Sequence, residues 1–279
     1  MCTSSSSISF TRTKSVFEHV NPFLPKPAEE HRPYVIAHRG ISAKAPENTL
    51  ASFALATAAK GIDMVELDVR LTKDEEVIVL HDRTLQRTTT GNGVARNYTL
   101  NELKNYDAGS WFDPSFKAER IPTLLEVLQL VGSTRWIDIE IKADPFRADR
   151  RGFLEEKVIR MVDECGMKDR VFYSSFDHHL IANVKRMKPE AVTGVLYNLL
   201  RDFGRPPSKL ARRANASVFI CGKGELQRSM IEDARKNGIA VYVYTLNSIN
   251  DAQKMIQLGV DGIISDNADD IVSLVKRTR

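Results

Sequence analysis

The chain has 279 residues, 42% of them hydrophobic, and a formal net charge of +4 with a pI near 8.9. That length and apolar content suffice for one large domain with a full core. Basic and acidic residues are interleaved, which excludes a dedicated nucleic-acid binder with its clustered cations, and no apolar run approaches the roughly 20 residues that span a bilayer.

Residues 1–33 are Ser/Thr-rich, then Pro-containing, without apolar periodicity, and read as a flexible leader. They lack the apolar h-region of an intact secretory signal. "MCTSSSS" has the composition of a lipoprotein cut at its acylated cysteine; a cytoplasmic location is favoured, with a processed lipoprotein or a periplasmic protein as alternatives. The three cysteines, Cys2, Cys165 and Cys221, show no CxxC or Cys/His spacing. That excludes a zinc ribbon, and they read as buried or spare thiols.

From residue 34 onward, short β-branched runs alternate with amphipathic helical stretches. "YVIAH" at 34–38 is the first buried strand. Residues 48–60 form the first helix, with Leu50, Phe53, Ala54 and Ala58 as its apolar positions and Asn48 as its cap. "MVELDV" at 64–69 is the second strand, followed by an additional one, "EVIVLH" at 76–81. Residues 83–120 break the alternation: they are polar, rich in Gly and Asn, and carry Trp111 and Phe112. They read as an inserted subdomain on the second strand–helix connection. "PTLLEVLQLV" then opens with Pro122 at a helix N-terminus, where a missing N–H costs nothing. Further strands are predicted at 136–141, 171–175, 192–197, 217–222, 240–246 and 262–265. Among the helices between them, "SMIEDARKNG" stops at Gly238 and "SINDAQKMIQLG" at Gly259. Eight strands alternating with helices fit a (β/α)8 TIM barrel with a small insertion after the second strand region. An open doubly wound sheet is disfavoured, because no GxGxxG follows the first strand.

Barrel active sites form at the carboxyl ends of the strands. His38 ends the first strand. Glu66 and Asp68, two apart, project to one side of the second. His81 ends the additional strand and Asp82 follows it. Glu140 and Lys142 are again two apart, at the end of "WIDIEI". Each alone has an ordinary structural reading, as a hydrogen-bonded histidine or a surface ion pair worth little. Together, three carboxylates in apolar strands are costly to bury without a cation. An all-oxygen set without cysteine suits Mg²⁺ or Ca²⁺ rather than zinc. A divalent cation beside Arg39 and Lys142 is what a phosphoryl oxygen requires, and two imidazoles supply a general base and a general acid near neutral pH. The combination points to cleavage of a phosphodiester.

The residues also resemble a family. "AHRG…APENTLASF", "ELDVRLTKD", "VLHDRTLQRTTTGNG", "DAGSWF", "RIPTLLEVL", "IEIK", "SSF", "VYTLN" and "GVDGIISD" are similar to a glycerophosphodiester phosphodiesterase, from about Tyr34 to the C-terminus. The resemblance implies a TIM barrel with a small insertion and one divalent metal on Glu66, Asp68 and Glu140. It implies catalysis by His38 and His81, and substrate contacts from Arg39 and Lys142. The family often has Trp in its "WTVN" segment; Tyr244 stands there in this chain, as a substrate-side residue. The implied reaction is hydrolysis of a small glycerophosphodiester, such as glycerophosphocholine or glycerophosphoethanolamine, to glycerol 3-phosphate and an alcohol. The competing readings are a related phospholipase D-type lipid phosphodiesterase and a non-catalytic phosphodiester-binding module. The first needs an apolar interfacial rim, and the insertion offers only Trp111, Phe112 and Phe116. The second would be expected to lack a histidine or a carboxylate, and all are present.

Overall fold

The computed structural model describes residues 32–144 and 152–277, so nearly all of the leader, with Cys2 in it, lies outside the described residues. Eight parallel strands close on one another: β1 (Tyr34–His38), β2 (Met64–Leu71), β4 (Trp136–Ile141), β5 (Val171–Ser175), β6 (Val192–Leu196), β7 (Val218–Gly222), β8 (Ala240–Tyr244) and β9 (Gly262–Ser265). β9 pairs back onto β1, which closes the barrel. The short β3 (Val77–Val79) runs antiparallel beside β2, outside the ring. The (β/α)8 barrel expected from the alternation is the observed fold.

Eight helices cover the ring: α1 (Leu50–Ala58), α3 (Leu124–Val131), α4 (Phe153–Glu164), α5 (His178–Met187), α7 (Pro207–Ala214), α8 (Arg228–Lys236), α9 (Ile249–Leu258) and α10 (Ala268–Arg277). Two single turns are extra: α2 (Leu100–Leu103), inside the insertion, and α6 (Leu199–Asp202), just after β6. Among the described residues, no helix is long and apolar enough to cross a membrane.

Strand alternation divides the core in two. Val35, Val65, Leu67, Ile137, Ile139, Phe219 and Val241 face outward into the helix layer. Ile36, Met64, Phe172, Val218, Ile220, Tyr242 and Ile264 face inward and plug the barrel. Both faces are apolar, so the strands read as continuous hydrophobic runs. The plug is fitted by size: a Cβ on Gly194 would stand 2.5 Å from the Phe172 ring, so the phenyl group occupies space that only glycine leaves. Continuing the inward parity toward the carboxyl ends changes the chemistry, because Glu66, Asp68, Asp138, Glu140 and Ser174 follow the apolar layer and are buried. In register, His38 pairs with Glu66, Glu66 with Asp138 and Asp68 with Glu140.

Several local expectations shift. Asn48 does not cap α1; Thr49 does, its hydroxyl accepting from the Ser52 N–H, because Asn48 takes φ 56° and turns its amide inward. α3 starts at Leu124, two residues after Pro122, because Thr123 caps it in a capping box with Glu126. β8 stops at Tyr244 rather than Leu246, and β3 ends two residues before His81. Ordered packing starts ahead of Tyr34, since Arg32 pairs with Asp63 at 2.7 Å. Within residues 83–120, Leu85, Ala95, Leu103 and Ala108 form a small core against Ile78, Leu80 and Ile121. Cys165 and Cys221 are free thiols, half-buried and buried respectively.

Candidate active site

The site begins where β1 ends. Arg39 and Gly40 both take positive φ, 56° and 82°, which turns the chain sharply back over the barrel mouth. A side chain at Gly40 would collide with Ser52 at 2.5 Å. The same conformation at Arg39 costs about 1 kcal/mol or more and is held by its surroundings. Its N–H donates to Glu66 Oε2 at 2.9 Å, and its carbonyl accepts from the Asn48 N–H at 3.1 Å and from the Ser52 hydroxyl at 2.9 Å. The turn aims the guanidinium into the site, with Nε 3.2 Å from Asp68 Oδ2 and Nη1 donating to Glu47 at 2.8 Å.

Glu66, Asp68 and Glu140 offer three carboxylate oxygens lying within 4.8 Å of one another, all buried. Lys142 stands among them: its ammonium donates to Glu140 Oε1 at 2.5 Å and lies 2.7 Å from Asp68 Oδ1, off hydrogen-bond alignment. Asn48 Nδ2 donates to the other oxygen of Asp68 at 2.7 Å. Burial pushes the Asp68 carboxyl up, but Lys142 and Arg39 outweigh it and hold it far below the usual carboxylate range. Burial wins at the other two. Glu66 is raised well above its ordinary value by desolvation and the neighbouring Asp68. Glu140 is raised by desolvation, which Lys142 offsets only in part. Lys142, although burial works against its charge, is raised by Asp68 and Glu140 and stays an ammonium ion. One lysine and one arginine therefore do not compensate three buried carboxylates. The donor set, all oxygen with Asp68 Oδ1 unaligned to any donor, fits a hard divalent cation.

Two histidines border this cluster, each backed by a carboxylate. His38 Nδ1–H donates to Asp266 Oδ1 at 2.6 Å, leaving Nε2 directed inward, 4.0 Å from Glu66 Oε2. Burial alone would raise Asp266, but the bonds from His38, Asn247 and Ser42 bring it to about 2. An ionised Asp266 can only accept, so the His38 proton sits on Nδ1 and Nε2 is free to take one. His81 repeats the pattern, its Nδ1–H donating to Asp82 at 2.6 Å. Burial lowers its pKa below the ordinary imidazole value, only partly opposed by Asp68. Asp82 in turn pairs with Arg87 at 2.6 Å, and Arg87 donates through both terminal nitrogens to Glu47, at 2.7 and 2.8 Å. A continuous ionic chain thus joins His81 to Arg39 through Asp82, Arg87 and Glu47.

His38, Arg39, Glu66, Asp68, His81, Glu140 and Lys142 all meet at one rim, as the sequence pattern requires. Tyr244 lies one ring further out. It makes an edge contact with Phe176, centroids 6.3 Å apart, and Phe176 lies 6.0 Å from the Lys142 ammonium. Asp266, Arg87, Phe176 and the inward amide of Asn48 were not singled out from the sequence. Asp266 closes the "GIISD" strand end, which placed it at the rim, but nothing local paired it with His38.

Residues 38–270 match the model of the glycerophosphoryl diester phosphodiesterase family. The glycerophosphodiester phosphodiesterase of Caldanaerobacter subterraneus subsp. tengcongensis is 39% identical, over 87% of this chain and 98% of that protein. Among solved structures, an Oleispira antarctica phosphodiesterase in complex with the product sn-glycerol-3-phosphate is 30% identical. It superposes with a TM-score of 0.81, covering 88% of this chain and 97% of its own. A glycerophosphodiester phosphodiesterase from Agrobacterium tumefaciens is also 30% identical, with a TM-score of 0.74 over 86% and 99% of the two chains. The chain belongs to the glycerophosphoryl diester phosphodiesterase family and is a phosphodiesterase.

Proposed function

We propose that this enzyme hydrolyses small glycerophosphodiesters, glycerophosphocholine and glycerophosphoethanolamine among them, to glycerol 3-phosphate and the free alcohol. The observation that carries the reading is the pair of carboxylate-backed histidines, His38 on Asp266 and His81 on Asp82, bordering a cluster that holds Arg39 and Lys142. A divalent ion, Mg²⁺ or Ca²⁺, held by Glu66, Asp68 and Glu140, would neutralise the cluster and draw charge from the phosphoryl oxygens. Arg39 and Lys142 bind the non-bridging oxygens and stabilise the charge that grows on them.

His38 acts as base. Its free Nε2 takes the proton of the attacking oxygen, either water or the 2-hydroxyl of the glycerol, the latter closing a cyclic phosphate that water then opens. His81 acts as acid: as the phosphorus–oxygen bond to the alcohol breaks, it delivers its proton to the departing alkoxide. Tyr244 and Phe176 border the outer side of the pocket, where the substrate's organic group enters. The test is a panel of glycerophosphocholine, glycerophosphoethanolamine and intact phosphatidylcholine, followed by assay of glycerol 3-phosphate. Its release from the first two supports the reading. Release of phosphatidic acid from the intact lipid alone overturns it in favour of a phospholipase D activity, and no turnover of any of them leaves a binding module.

A further inference from the structure

The chemistry above gives no task to Arg87, or to the insertion that carries it. The Arg87 guanidinium bonds two carboxylates at once. Nε donates to Asp82 Oδ2 at 2.6 Å, while Nη1 and Nη2 donate to Glu47 Oε2 and Oε1 at 2.7 and 2.8 Å. Each carboxylate leads on to a different group at the rim. Asp82 Oδ1 accepts from His81 Nδ1 at 2.6 Å, and Glu47 Oε1 accepts from Arg39 Nη1 at 2.8 Å. Three stretches of chain therefore converge on one side chain: the turn after β1, the bend after β3 and the first turn of residues 83–120. An exposed ion pair by itself is worth little. A planar fork bonded to two carboxylates differs, because it fixes the orientation of both, and an ammonium group lacks that geometry.

The insertion holds Arg87 firmly. Leu85, two residues earlier, is buried in the small core of the insertion. The Thr89 N–H and hydroxyl both donate to the Leu85 carbonyl, at 3.0 and 2.7 Å, which closes the turn around Arg87. The Thr90 N–H then donates to the Asp107 carbonyl at 2.9 Å. Asp82 depends on that anchor. It is the chain neighbour of His81, so their bond lasts only while the partly exposed Asp82 side chain stays turned toward the ring. Among the described residues, Arg87 is the partner that holds its other oxygen. Asp266, behind His38, is held instead by Ser42 and Asn247. Burial alone would raise Asp82, but the bonds from Arg87 and His81 bring it to about 2. An ionised Asp82 can only accept, which keeps one His81 proton on Nδ1 and makes Nε2 the nitrogen that gives up the other.

Resting on the reading of His81 as the leaving-group acid, we propose that Arg87 is a positioning residue, through which the insertion holds Asp82 on His81 and thereby sets the tautomer of the acid. Two readouts test it. The first is ¹⁵N NMR of the imidazoles in the full chain at about pH 8, where an ordinary histidine is neutral. His81 should show a single Nδ1–H tautomer in the wild type and a mixture in Arg87→Met. The second is turnover. Arg87→Met should lose ~10-fold or more in kcat/KM on glycerophosphocholine and far less on a nitrophenyl phosphodiester, whose leaving group needs no acid. Arg87→Lys, which keeps the charge without the fork, should stay within ~3-fold of Arg87→Met. An undisturbed His81 tautomer in Arg87→Met overturns the proposal, as does wild-type turnover in Arg87→Lys. Where the aryl ester rescues His81→Ala, an equal loss of Arg87→Met on both substrates also overturns it and makes Arg87 a structural brace. Failure of the aryl ester to rescue His81→Ala refutes His81 as the acid instead, and the tautomer readout then decides the Arg87 contact by itself.

Discussion

His38 Nδ1 lies 2.6 Å from Asp266 Oδ1, joining the end of β1 to the turn after β9, 228 residues later. Ser42 and Asn247 donate to the same carboxylate, at 2.9 and 2.6 Å, so its position is over-determined. Through this bond Asp266 fixes which nitrogen of His38 carries the proton. Asp266→Asn frees the opposite tautomer, and kcat/KM is expected to fall on the order of 10²-fold with KM little changed. A purely structural role would instead show as a lowered melting temperature with kcat intact.

The same carboxylate has a pH signature. Its folded pKa, about 2, is depressed below the ordinary aspartate value. The stability it contributes is therefore fully present above the unfolded-state pKa, near 4, and is lost as pH falls toward 2. Melting temperatures of the wild type and Asp266→Asn, compared from pH 5 to about 2, should converge as pH falls. A constant gap between them would show that Asp266 does not titrate in that window.

The two histidines are separable by leaving group. The acid must protonate a departing alkoxide, whereas a nitrophenolate leaves without help. His81→Ala should therefore be strongly impaired on glycerophosphocholine and largely rescued on a nitrophenyl phosphodiester, while His38→Ala stays impaired on both. Burial lowers the His81 pKa, so the protonated acid is depleted as pH rises through that value. Glycerophosphocholine turnover should then decline as pH rises through that value, and nitrophenyl ester turnover should persist. Rescue of His38→Ala alone would reverse the two roles.

Chelation tests the carboxylate cluster. EDTA should abolish activity and lower the melting temperature, because three buried carboxylates lose their counter-charge, and Mg²⁺ or Ca²⁺ should restore both. Glu66→Gln should weaken the metal-induced rise in melting temperature. Undiminished activity in excess chelator sinks the assignment.

Lys142 makes its ion pairs to Glu140 and Asp68 from a buried position. Removing one charge-stabilising donor from a site of this kind costs about 3 kcal/mol of transition-state stabilisation. Lys142→Met is thus expected to lower kcat/KM on the order of 10²-fold or more, even with metal saturating. A variant that keeps wild-type turnover but melts lower would make Lys142 a structural partner of the two carboxylates.

Residue order alone specifies the barrel and the membership of its charged rim. Continuous apolar runs broken by helical periods can bury both strand faces only within a helix-covered parallel sheet. The i, i+2 spacing of Glu66 and Asp68, and of Glu140 and Lys142, puts each pair on one face wherever the strand lies. The contacts between those groups follow instead from closure of the ring and from the turns, which no local pattern encodes. Asn48 read locally as a helix cap, since Asn before an apolar run caps well in isolation. In the fold its positive φ turns the amide onto Asp68, 20 residues away, and Thr49 takes the cap. Asp266 reaches His38 only because β9 pairs with β1.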